Sequence, residues 1–311
     1  MQRASIRLSN FLLLAGLLVF PRLAHAEPVA PAFIERLDVQ PESIEITSPR
    51  RSVQLVVDAA SPDGDPSDVT QAVSYSVSDP RILSVSSSGR VTPRGDGNAS
   101  IRVSIGNRSG EIAVTVSGQG SKEAVSFNYQ ALPALAKAGC SGGACHGSPN
   151  GKAGFRLSLF GFEPAVDRQS LVRDLHSRRV NVVEPEQSLL LRKPTMQIPH
   201  AGGRRLTKGD GLYELLRDWI GEGCRAEPEK TACVGIDVFP KVSRVLRFPA
   251  NSQQFRVVGK FSDGSTRDVT QLAQFSLSNV NVAEVSRDGH VTGLGRGETA
   301  VIVRYLDFIR T

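Results

Sequence analysis

The feature that most constrains the fold is an internal repeat with an offset of 200 residues. The sequence Asp68-Val69-Thr70-Gln71 recurs as Asp268-Val269-Thr270-Gln271. Without a gap, the same residue types recur 200 positions after Ser76, Ser78, Val85, Ser86, Gly89, Val91, Thr92, Gly95, Gly97 and Val103. Self-similarity at one fixed offset indicates that a structural unit is used more than once. The chain of 311 residues is therefore expected to contain two copies of one domain and a different segment between them.

Each copy has the sequence pattern of short β-strands. Val53, Leu55 and Val57 recur at every second position, as Phe255 and Val257 do in the second copy. Turn signals separate such runs, at Asp63-Gly64, Ser88-Gly89, Asp263-Gly264 and Asp288-Gly289. Apolar residues at period two with regularly spaced turns predict an antiparallel β-sandwich.

The repeat resembles the bacterial Ig-like group 2 family. The resemblance rests on D-G-S-T-R-D-V-T-Q at 263–271, on V-A-E-V at 282–285, and on D-G-x-V-T-G-L-x-x-G at 288–297. It implies Ig-like domains at 33–118 and 236–311 that act as spacers or adhesive modules, with cell-surface or polysaccharide contacts. The second domain is expected to be incomplete, because the partner of the strand Glu111–Val116 would lie after Thr311. We therefore expect this chain to be part of a longer protein.

The first 26 residues have the pattern of a secretory signal peptide. Arg3 and Arg7 precede an apolar run from Phe11 to Phe20, and Ala24-His25-Ala26 forms a cleavage site. The run is too short to span a bilayer, so no transmembrane span is expected after cleavage. The mature chain is then in the periplasm, on the cell surface or secreted. Removing this segment lowers the formal charge from +6 to +3, and no basic stripe predicts a nucleic-acid partner.

The segment between the repeats contains a candidate cofactor motif. Cys140 and Cys145 are followed at once by His146. A cysteine pair closed by Cys-His is typical of c-type haem attachment, in which the histidine is the proximal iron ligand. Four small residues separate the cysteines instead of the usual two, and they leave room for a longer loop. The alternative is a Cys140–Cys145 disulfide with no cofactor.

Residues 124–228 resemble the cytochrome c-like domain of large exported planctomycete-type proteins. The resemblance rests on the motif around Cys140, on P-E-Q-S-L-L at 185–190, on I-P-H-A-G-G at 198–203 and on D-W-I-G-E-G at 218–223. Helices are expected at 125–139, 167–177, 185–193 and 209–221. The expected fold class is therefore multidomain: two all-β Ig-like sandwiches, the second truncated, flanking a small, mainly α, cytochrome c-like domain.

The distal iron ligand departs from the pattern of that family. Ile198 occupies the position where such cytochromes have methionine. Two residues flank it, and we predict His200 as the distal ligand with Met196 as the alternative. The remaining cysteines, Cys224 and Cys233, are predicted to form a disulfide, with a zinc site of all four cysteines as a remote option.

Together these features predict an exported electron-transfer module. One covalent haem c would be held between Ig-like spacer domains and would exchange electrons with an unknown redox partner. No catalytic residues are predicted, because no arrangement of the common hydrolase or metalloprotease motifs is present. The alternative function is a haem-free, disulfide-stapled structural or adhesion protein of the cell surface.

Overall fold

The computed structural model describes residues 34–60, 66–226 and 231–311. The predicted signal peptide at 1–26 lies outside the described residues. Within them, no helix has the length and apolar character that a membrane crossing requires.

The first repeat forms three β-sheets around one core, and most of their strand pairs are antiparallel. The strands are β1 (Arg36–Gln40), β2 (Ser43–Ile46), β3 (Val53–Gln54), β4 (Val56–Ala60), β5 (Ser67–Asp68), β6 (Ser74–Val77), β7 (Leu83–Val85), β8 (Arg90–Pro93), β9 (Gly97–Ile105) and β10 (Arg108–Val116). Their orders are β1-β4-β5, β2-β10-β9-β6 and β3-β8-β7. Alternate residues such as Ile101, Val103, Ile112 and Val114 are buried, as the period-two pattern predicts.

The second repeat has the same arrangement with one difference. Its strands are β11 (Cys233–Phe239), β12 (Ser252–Gln254), β13 (Arg256–Phe261), β14 (Thr266–Asp268), β15 (Gln274–Leu277), β16 (Ala283–Val285), β17 (His290–Gly293), β18 (Val301–Tyr305) and β19 (Phe308–Arg310). The orders β11-β13-β14 and β12-β17-β16 match the first repeat. The third sheet, β15-β18-β19, has three strands, because residues 243–246, which correspond to β2, are not in a strand.

The two repeats contact each other through equivalent atoms. The amide of Gln254 donates to Oδ2 of Asp68 at 3.0 Å, and the amide of Gln54 donates to Oδ2 of Asp268 at 3.0 Å. Because these pairs are related by the repeat offset, the contact is reciprocal, as in a two-fold symmetric dimer interface. An ion pair between Arg244 and Asp58 adds to this contact.

The segment between the repeats consists of short helices joined by turns and loops. The helices are a π-helical turn (Phe127–Ala131), α1 (Leu132–Lys137), a 3-10 turn (Leu159–Gly161), α2 (Pro164–Val172), a second 3-10 turn (Pro185–Gln187), α3 (Leu189–Arg192) and α4 (Gly211–Gly221). The longest is α4, which begins where the Asp210 side chain accepts a hydrogen bond from the Tyr213 amide at 2.6 Å.

The apolar face of α4 organises the core of this segment. Tyr213, Leu216, Trp219 and Ile220 recur at helical spacing and are fully buried. The ring of Trp219 packs 5.0 Å from that of Phe127. Burial of these large side chains gives the short helices the stability that their length does not provide.

The predicted fold class is wrong in its middle part. In the described ranges the fold is carried mostly by six β-sheets, and the α-helices have only four to eleven residues, so no distinct helical cytochrome domain is formed. The physical reason is that the segment packs on both repeats rather than on itself alone. Lys137 donates to the carbonyls of Thr270 and Ala273 at 3.1 and 2.7 Å, and Arg50 pairs with Glu222 at 2.6 Å.

Candidate functional site

The loop that carries both candidate haem-binding cysteines begins directly after α1. The amide of Cys140 donates to the Leu135 carbonyl at 2.9 Å, and the amide of His146 donates to the Cys140 carbonyl at 3.0 Å. A Cβ at Gly147 would lie 2.0 Å from the Ser141 carbonyl oxygen, so only glycine fits there. The loop is therefore tightly folded, and it turns Cys140, Cys145 and His146 toward one cavity.

His146 is held by one of its two ring nitrogens. Its Nδ1 lies 3.0 Å from the Phe155 carbonyl oxygen, and the two rings are 4.4 Å apart. A carbonyl accepts only from a protonated nitrogen, so Nδ1 carries the hydrogen and Nε2 is the nitrogen with a lone pair. Burial lowers the pKa of His146 below its ordinary value, which favours the neutral form that binds metals.

His200 has the same arrangement on the other side of the cavity. Its Nδ1 lies 2.9 Å from the Gly203 carbonyl oxygen, so Nε2 is again the nitrogen with a lone pair. The rings of His146 and His200 have centroids 6.4 Å apart and planes inclined by 13°. The structure thus brings together two histidines that are 54 positions apart in the sequence.

The cavity between these histidines has a volume of about 500 Å³. Its wall combines the two cysteines and two histidines with apolar side chains, among them Leu175, Leu189 and Leu190. Arg178, Lys193 and Arg205 also line it. A mostly apolar cavity of about 300–1,000 Å³ with a few convergent polar groups is typical of cofactor sites.

Arg179 helps to position His146 through Phe155. Its guanidinium donates to the carbonyls of Ser170 at 2.8 Å and Gly154 at 2.7 Å, and it lies 4.6 Å over the Phe155 ring. Phe155 in turn contacts His146 by both its ring and its carbonyl. Sequence reasoning missed this support, because backbone carbonyl acceptors leave no residue signature.

Met196, the alternative distal ligand, does not line the cavity. It is 44% exposed and has a left-handed φ of 61°. In the described residues no cluster of three or more His, Cys, Asp or Glu side chains could hold a metal ion.

All four cysteines are free thiols in the structure. Cys224 is buried in the core of the middle segment, and Cys233 begins β11. The Cys224–Cys233 and Cys140–Cys145 disulfides stay predictions. Burial raises the pKa of Cys140 to about 12 and that of Cys224 to about 11, so both thiols are protonated at neutral pH.

Comparisons with known proteins bear on the repeats rather than on this cavity. Residues 71–118 match the model of the bacterial Ig-like domain family described as Big-like. This match covers β6 to β10 and confirms the bacterial Ig-like part of the predicted resemblance. The comparisons do not support the planctomycete-type and cytochrome c-like parts.

Two solved structures of surface-layer proteins are distantly similar. Domains 5–6 of the S-layer protein SbsC show 10% identity and a TM-score of 0.31, over 89% of this chain and 93% of that one. Domains 4–9 of SbsC show 10% identity and a TM-score of 0.31, over 90% of this chain and 30% of that one. Similarity at this level does not establish a shared fold or a shared function. None of the curated proteins matches the chain.

Proposed function

We propose that the cavity binds one covalent haem c and that the chain is an exported electron-transfer module with Ig-like spacer domains. The observation that carries this proposal is the pair of facing imidazoles, each held at Nδ1 by a backbone carbonyl, in a cavity that both cysteines also line. Two imidazoles and two thiols are the protein groups that a c-type haem requires, so the residues fit the group.

Each residue then has a defined task. The thiols of Cys140 and Cys145 would hold the haem covalently. His146 would be the proximal ligand of its iron and His200 the distal ligand, both through Nε2. Phe155, Gly203 and Arg179 hold the imidazoles in orientation by the contacts described above. The cationic side chains of Arg178, Lys193 and Arg205 favour the haem propionates in this cavity.

The bound group would supply a one-electron redox centre. Because both imidazoles would ligate the iron, no coordination position would be left for a substrate, so transfer of electrons rather than bond-making is the expected activity. The redox partner is therefore a second electron carrier, which would approach the cavity mouth.

A second candidate is a haem-free structural or adhesion protein of the cell surface. The specific observation in its favour is the bacterial Ig-like match at residues 71–118, together with the second copy of the same repeat. In this case the cavity would be without a cofactor and the repeats would carry the function.

Expression in a bacterial periplasm with haem-maturation machinery separates the two candidates. The proposal predicts haem staining on a denaturing gel and an intact mass raised by one haem. Cys145→Ser should abolish most of the covalent attachment, whereas Cys233→Ser, outside the cavity, should leave it unchanged. A folded protein with the mass of the bare chain would overturn the haem proposal and favour the second candidate.

The ligand assignment has its own test. The wild-type ferric protein is expected to be low-spin, and His200→Ala should make it high-spin and able to bind carbon monoxide once reduced. Met196→Leu is the matched control and should change neither property. A spectrum that changes with Met196→Leu and not with His200→Ala would show that methionine is the distal ligand.

A further inference from the structure

A second cavity, of about 1,070 Å³, lies where the two repeats and the middle segment meet. Arg90 contributes to its wall from the first repeat, Lys137 from α1, and Arg267 and Arg287 from the second repeat. It shares no lining residue with the cavity between the histidines. The contacts that join the repeats to α1 therefore also enclose a separate space.

The wall of this cavity is strongly cationic. Eight Arg and Lys residues line it, against four Asp and Glu residues. Two of these cations are already paired, Arg50 with Glu222 and Arg51 with Glu123. Two further wall carboxylates are also engaged, because Asp268 pairs with Arg256 and Asp210 caps α4. The other six cations of the wall still exceed the single remaining carboxylate, that of Asp288.

Two of the cations have unused hydrogen-bond donors. The Nε atoms of Arg90 and Arg267 are buried, and in the described ranges they have no hydrogen-bond partner. Neither guanidinium lies within 4.0 Å of a described carboxylate, the distance that defines the ion pairs found elsewhere in the fold. A buried donor without an acceptor costs free energy, and native proteins rarely keep one without a purpose.

The guanidinium of Arg267 is nevertheless fixed in place. It lies 3.9 Å over the ring of Phe261, whose edge meets the Tyr129 ring at a centroid distance of 5.5 Å. Burial lowers the pKa of Lys137 to about 7, and the charges of Asp288, Arg287 and Arg90 also act on it. The wall thus combines several cations with aromatic side chains.

We infer that this cavity binds a small molecule or oligosaccharide segment carrying at least two anionic groups, which Arg90 and Arg267 bind by charge-assisted hydrogen bonds. Guanidinium groups bind carboxylate, sulfate and phosphate in a two-pronged manner. The aromatic wall suits the apolar face of a sugar ring or a similar scaffold. The volume exceeds what a single ion fills, so more than one anionic group is expected.

Calorimetric titration of the full chain at low salt tests this inference with two probes. Trigalacturonate presents carboxylates on a sugar scaffold, and inorganic tripolyphosphate presents phosphates without one; neutral maltotriose is the control. Binding of either acidic probe, weakened at high salt, is the expected result, and the stronger probe identifies the source of the anion. Failure of both probes to bind at millimolar concentration would overturn the inference.

The double variant Arg90→Gln with Arg267→Gln should weaken binding at least about tenfold, because each substitution removes a charge-assisted hydrogen bond to the probe. The matched control is Arg94→Gln, an exposed arginine of the same repeat that bonds to the Pro80 carbonyl outside the cavity. An equal loss in the control would show that the attraction is diffuse and would contradict a defined site.

A stability measurement keeps this test decisive. Because Arg90 has no carboxylate partner and its charge acts on the buried Lys137, Arg90→Gln should leave the melting temperature of the probe-free protein unchanged or raise it. A clear fall in the melting temperature of Arg90→Gln would mean that this arginine is structural and would overturn the assignment.

Discussion

The repeated Asp-Val-Thr-Gln motif forms the same backbone contacts in two different electrostatic environments. In both copies the aspartate accepts from the threonine amide two residues later at 3.0 Å and from an amide of the other repeat at 3.0 Å. In the second copy Arg256 pairs with Asp268 at 2.9 Å. In the first copy the corresponding residue is Val56, and no arginine compensates Asp68. The motif therefore determines the hydrogen bonds that the aspartate accepts. The residue on the neighbouring strand, Arg256 or Val56, determines whether an arginine compensates the charge of the aspartate.

This difference has a consequence for Asp68. Burial without a counter-ion raises its pKa from 3.8 to about 7, although amide and hydroxyl donors act in the opposite direction. At neutral pH a substantial fraction of Asp68 therefore carries a proton.

Arg256→Val should give the aspartate of the second copy the environment that it has in the first copy. This substitution is expected to have the largest effect on the free energy of unfolding. Asp268, whose side chain is 3% exposed, would lose its counter-ion. Breaking a buried ion pair from one side costs about 3–5 kcal/mol. Urea unfolding followed by circular dichroism at pH 8 measures the loss. A loss below about 1 kcal/mol would mean that the backbone donors alone compensate the carboxylate.

Asp68→Asn should remove the pH dependence of stability that Asp68 causes. Between pH 4 and 7 the folded state keeps a proton on Asp68 that the unfolded state has released. The stability contribution is therefore fully present below about pH 4 and is lost as the pH rises through about 7. Relative to wild type, the variant should gain on the order of 3 kcal/mol between pH 4 and pH 8. Parallel stability profiles of the two proteins would contradict the assignment.

The matched pair Thr70→Val and Thr270→Val compares the hydroxyls of the two motifs. Each Oγ1 accepts from a buried amide at 2.8 Å, that of Val57 or Val257. Only Thr70 also donates to its aspartate, at 3.1 Å. Both substitutions should cost about 1–3 kcal/mol, and Thr70→Val should cost about 1 kcal/mol more. Equal losses in the two variants would show that the bond to Asp68 adds nothing.

Arg36→Ala should have the smallest effect on the free energy of unfolding. It is the exposed reference for the buried Arg256–Asp268 pair. Arg36 and Asp38 form an ion pair at 2.7 Å, but their side chains are 70% and 41% exposed. Exposed pairs are screened by solvent and contribute little, so the same unfolding assay should detect almost no change. A loss comparable to that of Arg256→Val would remove the contrast between exposed and buried pairs.

The β-structure of the repeats could be predicted because its signals are local. Period-two apolar residues and the turn glycines are visible in short windows. Gly289 is an example of such a turn glycine. It has a φ of 79°, and a Cβ there would lie 2.6 Å from the Phe275 ring, so the turn requires glycine. The reciprocal contact of Asp68 with Gln254 could not be predicted, because it joins residues 186 positions apart through a backbone amide.

The middle segment was predicted less well. Helix positions near α1 and α4 follow from apolar spacing, but its packing on the repeats depends on groups such as the Thr270 carbonyl, which any residue has. Cys140, Cys145 and His146 stand out by their spacing, and His200 by its loop. The pairing of Cys224 with Cys233 rests on proximity in sequence alone; in the structure one belongs to a core and the other to a strand.

Lys137 gives the motif of the second repeat a further role. Its ammonium group spans from α1 to the carbonyls of Thr270 and Ala273, so the turn that holds the first repeat through Asp268 also holds the helix that leads into Cys140. A displacement of the second repeat would therefore act on α1, the helix that leads into the cysteine loop.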